Sequence, residues 1–308
     1  MGLLSWLFGR DGKDARQEPT QAESAVLTKP VQQEQFTVVG NRQMLTDAPY
    51  LLPKDLGEIN RLDFQHYLLR QTFQGNHLAP LGQPTTILDV GSGTGRWCHE
   101  MAQAYPQAHV IGCDLLDQAT EPRALSPNYQ FVEADVLRGL PFQNQQFDFV
   151  HQRLLFLAIP TASWPGEIRE LVRVTRPGGW IELVESALAG QHTGPVSREM
   201  EPWLVELSRR RGIDATHDPN LEEHLRAAGL VKVAGRNVAV PVGHWGGRVG
   251  MMMASNLNAL IQAMKPLIIS RLGVRPEDFE RVVAAQQHEW EEYHTTVTVY
   301  AAYGQRPR

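Results

Sequence analysis

Five short apolar runs punctuate the middle of this chain: Thr86–Val90, His109–Asp114, Tyr129–Glu133, Phe147–His151 and Trp180–Glu185. Thr86–Val90, a short apolar run ending in glycines, suggests a buried parallel strand, and the other four runs read as further strands. A helix is expected from about Gly95 to Ala104, and strands alternating with helical segments predict a doubly wound parallel sheet with right-handed crossovers.

Ahead of these runs, Leu56, Ile59, Leu62, Tyr67, Leu68 and Phe73 recur at roughly helical spacing, with Pro53 and Asp55 placed to start a helix. That helix carries a polar set, Arg61, Asp63, Gln65 and His66. Beyond Glu185 the alternation changes. Helices are expected near Pro202–Arg211 and Leu221–Ala228, then a strand over Leu230–Val240. Two longer helices follow at Arg248–Leu272 and Pro276–Tyr293. The run Thr295–Tyr300 is strongly β-favouring and is expected to enter the sheet antiparallel, as a seventh strand.

Composition changes this picture little. With 42% hydrophobic and 20% charged residues over 308 positions, the chain has an ordinary globular make-up. A net charge of -5 gives no reason to expect a nucleic-acid partner, and the triplet Arg209-Arg210-Arg211 reads as a solvated helix face. Two cysteines, Cys98 and Cys113, cannot make a disulfide framework. No metal-ligand spacing is present, so no metal is expected. The apolar start Met1–Phe8 is too short to span a bilayer and lacks the features of a signal peptide. Residues 1–35 are expected to be disordered, and the setting cytoplasmic.

The chemistry concentrates in Asp89-Val90-Gly91-Ser92-Gly93-Thr94-Gly95, directly after a strand and opening a helix. Glycines let the chain turn tightly and let a ligand approach the backbone, and the helix N-terminus offers free N–H groups. The Asp-x-Gly-x-Gly-x-Gly spacing sets a carboxylate at the strand end and differs from the Gly-x-Gly-x-x-Gly of nicotinamide enzymes. Asp114 ends the second strand, nineteen residues after Gly95, where an acid can accept from both ribose hydroxyls. Asp135, just after the third strand, can accept from an adenine amino group. Together they outline an adenosine pocket along the carboxyl edge of a parallel sheet.

From Thr86 to Glu185 this combination, with Phe147-Asp148-Phe149-Val150 and Arg176-Pro177-Gly178-Gly179-Trp180-Ile181, resembles the Rossmann-like family of S-adenosylmethionine (SAM)-dependent methyltransferases. The resemblance implies SAM as methyl donor and S-adenosylhomocysteine as product. It implies that the loop of Asp89, Gly91, Ser92, Gly93 and Gly95 lies at the methionine end, which also meets backbone around His151–Arg153, including Gln152. Asp114 with Leu115 would hold the ribose, and Asp135 with Val136 the adenine. Tyr50-Leu51-Leu52-Pro53-Lys54-Asp55, Arg61–His66, Trp97, His151-Gln152-Arg153 and Val299–Gly304 are similar to fungal LaeA-like methyltransferases. The implied layout is a helical cap over 36–84, a SAM-binding core over 85–242, a helical insertion over 243–293 and the last strand with tail over 294–308.

Methyl transfer from a sulfonium requires mainly alignment and dryness; an oxygen or protonated-nitrogen acceptor also gains from a general base. His66 and His151 are the candidate bases, and a packing histidine is the blander assignment for each. The insertion carries Trp245, Met251, Met252, Met253 and Met264, which suits a lid over an apolar acceptor, a dimer contact or plain core. The expected function is methylation of a small-molecule metabolite. The alternative is a SAM-binding regulatory or partner-binding protein without turnover.

Overall fold

The computed structural model describes residues 36–40, 42–45, 52–119, 125–215 and 219–308. The expectations for residues 1–35 lie outside them. The described chain opens with an antiparallel hairpin, β1 (Phe36–Val39) and β2 (Arg42–Leu45), which the apolar pattern does not announce. Arg42 grips Asp55 with two hydrogen bonds of 2.5 and 2.9 Å, and Asp55 in turn caps α1 (Leu56–Phe73) by accepting from Glu58 N–H.

A seven-stranded sheet follows. Its members are β3 (Thr86–Val90), β4 (His109–Asp114), β5 (Tyr129–Glu133), β6 (Phe147–Arg153), β7 (Thr175–Ser186), β8 (Val231–Pro241) and β9 (Thr296–Gln305). The order is β5-β4-β3-β6-β7-β9-β8. The first five in that order pair in parallel, and β9 runs antiparallel to both β7 and β8. This is the Rossmann-like doubly wound sheet with a reversed last strand. Its strand order reverses at β3, which leaves a crevice at the carboxyl ends of β3, β4 and β6.

The connections are α2 (Arg96–Ala104), α3 (Trp164–Val174), α4 (Pro195–Arg209), α5 (Leu221–Ala227), α6 (Gly247–Leu272) and α7 (Pro276–Glu292). The sequence pattern did not delimit α3, although Trp164, Ile168, Leu171 and Val174 are all buried at helical spacing. α4 begins seven residues before the expected Pro202. Glu289 of α7 accepts from the N–H groups of Val196 and Ser197 at 2.8 and 2.7 Å, supplying a cap from a distant element. β7 begins at Thr175, upstream of the expected Trp180, and absorbs Pro177-Gly178-Gly179 in a register irregularity opposite β6.

The two faces of the sheet pack separately. Ile87, Val110 and Phe149 meet Trp97, Cys98 and Met101 of α2 on one face; Leu88, Val150, Ile181 and Leu183 meet α3 and α5 on the other. A third apolar cluster joins Val184, Val240, Val297 and Val299 to α1, α4, α6 and α7. The insertion thus packs on the N-terminal helix as well as on the sheet. Met253 and Met264 belong to this core, whereas Met251 and Trp245 stand partly in solvent. Among the described residues, no helix is long and apolar enough to cross a membrane.

Candidate functional site

The glycine loop leaves β3 at the carboxyl edge of the sheet. Gly91, Gly93 and Gly95 all adopt left-handed backbone, with φ of +71°, +53° and +74°. A Cβ on Gly91 would stand 2.5 Å from Leu155 Cδ2, and one on Gly95 2.7 Å from the Tyr129 hydroxyl. On Gly93 the nearest atom would be 3.7 Å away, so that side of the loop is open. The Ser92 side chain turns under the loop toward Gly112, leaving backbone as the outward surface. α2 starts at the loop with no side-chain cap and no acid in its first turn, so its first N–H groups remain available to an anion.

α1 lies across this loop. Thr94 donates to Asp63 at 2.5 Å and Arg96 reaches the same carboxylate at 3.3 Å. Asp114, at the end of β4, accepts from Gly93 N–H at 2.9 Å and from Leu115 N–H at 2.7 Å. Lys54, just before α1, places its ammonium 3.6 Å from the same carboxylate. Asp135 follows β5 and caps a short turn over Val136–Arg138 by accepting from Leu137 N–H at 3.0 Å. The loop, Asp114 with Leu115, and Asp135 with Val136 therefore share one edge of the sheet, in the order their strands set.

Beneath the loop, on the α1/α2 face, lies a polar layer. Asp89 accepts from the Nδ1 side of His151 at 2.7 Å and from Cys98 Sγ at 3.4 Å. The His151 ring stacks on Trp97, with centroids 4.0 Å apart and planes within 4°. His151 is 1% exposed, and burial lowers its pKa against the opposing pull of Asp89. Gln152 is also fully enclosed, with its amide turned to the opposite face.

His66, on α1, is 2% exposed and sits between two charged groups. An Arg153 guanidinium nitrogen lies 3.2 Å from Nδ1, and Glu100 Oε2 lies 3.2 Å from Nε2. A guanidinium can only donate, so Nδ1 accepts and the ring proton sits on Nε2. Burial lowers the His66 pKa further than Glu100 raises it. The Glu100 carboxyl is pushed up by burial, yet hydrogen bonds from His66 and Asn76 and the Arg70 charge outweigh that and hold it at about 2.

A cavity of about 260 Å³ opens at the same end of the sheet, where β7 ends and β9 begins. Its wall is largely apolar, with Leu188, Met200, Leu204, Leu260, Met264 and Trp290, and includes Ser197, Glu201 and Gln286. α4, α6 and α7 enclose it.

These features agree with the comparisons. A family described as a methyltransferase domain matches residues 87–179. The methyltransferase str2 of Strobilurus tenacellus is 31% identical over 202 residues, covering 63% of this chain and 72% of that protein. Methyltransferase pytC of Aspergillus terreus is 29% identical over 283 residues, covering 86% and 85%. The secondary metabolism regulator LAE1 of Cochliobolus heterostrophus is 30% identical over 210 residues, covering 64% and 67%. The chain belongs to the Rossmann-like, class I family of SAM-dependent methyltransferases, in its LaeA-like branch, and is an enzyme with SAM as its cofactor.

The residues present fit that cofactor. An open, left-handed glycine loop over an uncapped helix start suits the amino-acid end, and the half-buried carboxylate of Asp114 beside it suits a diol. When bound, SAM supplies an electrophilic methyl group on a sulfonium. Two residues at this edge had no assigned role in the sequence, Lys54 and Arg153. Both lie inside the motifs named above, and Arg153 is the residue that ends β6. Only the fold brings them to the loop.

Proposed function

We propose that this enzyme methylates an apolar small-molecule acceptor held in the cavity between α4, α6, α7 and the ends of β7 and β9. The cavity carries this proposal. It lies at the same end of the sheet as the glycine loop, where β7 ends and β9 begins, and its wall carries many apolar side chains with polar groups among them. Its volume of about 260 Å³ is just below the usual range of small-molecule sites, roughly 300–1,000 Å³. On this reading α6 and α7 act as a lid, and Met264 is a wall of the acceptor site.

The cofactor roles assigned to Gly91, Gly93, Gly95, Asp114, Leu115, Asp135 and Val136 are kept in this proposal. Asp89 and Ser92 act through the loop they support, since both side chains turn inward, and Gln152 contributes backbone only. Neither His66 nor His151 serves as a general base here. His66 is buried, with Nδ1 accepting from Arg153 and Nε2 3.2 Å from the Glu100 carboxylate, and His151 is buried against Trp97 and Asp89. A neutral amine or a thiol, which needs no strong base, suits such a site.

The test uses Leu260→Trp and Met264→Trp to fill the cavity. S-adenosylhomocysteine formation is followed with a panel of phenols, aromatic amines and thiols, and SAM affinity is measured by calorimetry. Turnover of an accepted compound is expected to fall at least tenfold (about 1.4 kcal/mol) with SAM affinity unchanged. Undiminished turnover in both variants would remove the acceptor from this cavity. A second reading, a regulator, draws on the Cochliobolus relative, which is a secondary metabolism regulator. It would gain if SAM bound and no compound in the panel were methylated.

A further inference from the structure

Arg153 closes β6 at the carboxyl edge of the sheet. Val90 pairs with Gln152 across β3 and β6, so Arg153 stands level with Gly91, the first glycine of the loop. Alternation along the strand puts it on the face of Phe149 and His151, which is the face covered by α1 and α2. α1 lies over the loop here through Asp63 and Thr94.

A guanidinium has five N–H donors. Among the described residues, the Arg153 side chain makes one hydrogen bond, to His66 Nδ1, and no ion pair. The acids around it are committed elsewhere. Asp89 serves His151 and Cys98, Glu100 serves His66, Arg70 and Asn76, and Glu182 accepts from the N–H groups of Leu78 and Ala79 at 2.7 Å each. Burial weighs against the charged guanidinium, and these acids only partly offset it. A half-buried cation with an unused planar fork is a site for a carboxylate, which such a fork binds with two parallel hydrogen bonds.

We propose that Arg153 is the residue that binds the carboxylate of the methionine end of SAM. His66 then has a positioning role, its Nδ1 holding one edge of the guanidinium while Glu100 fixes its tautomer. The two histidine contacts with charged groups become one chain, Glu100–His66–Arg153, that aims a cation at the cofactor.

The test compares SAM with decarboxylated SAM, which keeps the adenosine, sulfonium and amine and lacks only the carboxylate. Affinities are measured by calorimetry for the wild type, Arg153→Gln and Arg153→Lys, with melting temperatures recorded for each. The wild type is expected to prefer SAM by roughly tenfold to a hundredfold, the range of a charge-assisted hydrogen bond. Arg153→Gln is expected to weaken SAM toward the decarboxylated compound while leaving the latter within about threefold of its wild-type value. Arg153→Lys, with its charge but no fork, retains part of the preference. Equal wild-type affinities would overturn the proposal, and this arm stands even if Arg153→Gln does not fold. A preference kept in Arg153→Gln would give the carboxylate to the glycine loop and α2, and parallel weakening of both compounds would make Arg153 a structural residue; either result overturns it.

Discussion

Gly91 combines φ +71° with a Leu155 methyl group 2.5 Å from where its Cβ would stand. Left-handed backbone costs an L-residue roughly 1–2 kcal/mol, and the clash adds to it. Gly91→Ala is therefore expected to lower the melting temperature by several degrees, at about 2–4 °C per kcal/mol, and to weaken SAM binding by shifting the loop. Unchanged melting and affinity would show that Leu155 can withdraw freely. Asp114 acts through charge. Asp114→Ala is expected to weaken SAM by tenfold or more, as the loss of a charged acceptor costs roughly 1.5–3 kcal/mol. Near-wild-type affinity in calorimetry would move the ribose off this strand. The places of both residues at the strand ends were legible in the sequence because the signals are local: three glycines in a fixed spacing, and an acid at a strand end. The fates of His66 and His151 were not legible. Each depends on partners far along the chain, Arg153 for His66 and Asp89 for His151.

Elements are held to one another by a few buried polar contacts. Arg61 of α1 forms hydrogen bonds of 2.8 and 2.5 Å with Glu58 on its own helix and one of 3.0 Å with Asn256 of α6, all three residues being buried. This triad joins the helix over the glycine loop to the insertion. Arg61→Leu leaves Glu58 buried without its cation, a loss of about 3–5 kcal/mol. The melting temperature should fall markedly more than in Asn256→Ala, which removes one neutral acceptor. Equal effects would mean that Glu58 finds water or another partner. The start of α4 follows the same logic, since Glu289 reaches from α7 to cap it. Helix periods were visible in the sequence, but this boundary was not, because the capping residue is about ninety positions away.

Across the whole molecule, two sets of buried groups set opposing pH dependences. Glu167 of α3 and Glu185 of β7, both buried and with no cation beside them among the described residues, are pushed up to about 8 by burial, and Glu182 to about 7. Each holds a proton in the fold that the unfolded chain loses near 4.5, so stability falls as pH rises toward 8. His66, His77 and His151 are shifted down from 6.5 by burial. They stay neutral in the fold while the unfolded chain takes up protons below 6.5, so their contribution is lost as pH falls. Between pH 6.5 and 8 the carboxyls dominate. Stability, read as the melting temperature, should therefore fall between pH 6.5 and 8, by about 1.4 kcal/mol per pH unit for each proton held. It should fall again near pH 9, where the unfolded cysteines ionise while buried Cys98 and Cys113 stay protonated. Glu167→Gln should flatten that slope, and a wild-type profile already flat over this range would mean these carboxyls are ionised in the fold.

Fold class and cofactor edge were determined by the sequence itself. Strands packed in the middle of a parallel sheet are rich in apolar residues, so the segments that form this sheet stand out as short runs. A glycine loop needs residues without Cβ, and strand-end acids fall where the chain reverses. These are short-range requirements, satisfied within a few residues of one another. The N-terminal hairpin, the start of α4, the apolar cavity between α4, α6 and α7, and the Glu100–His66–Arg153 chain were decided only by tertiary structure. Each is made by groups that meet across the fold, where burial and an unmatched donor or acceptor, rather than local spacing, select the partner.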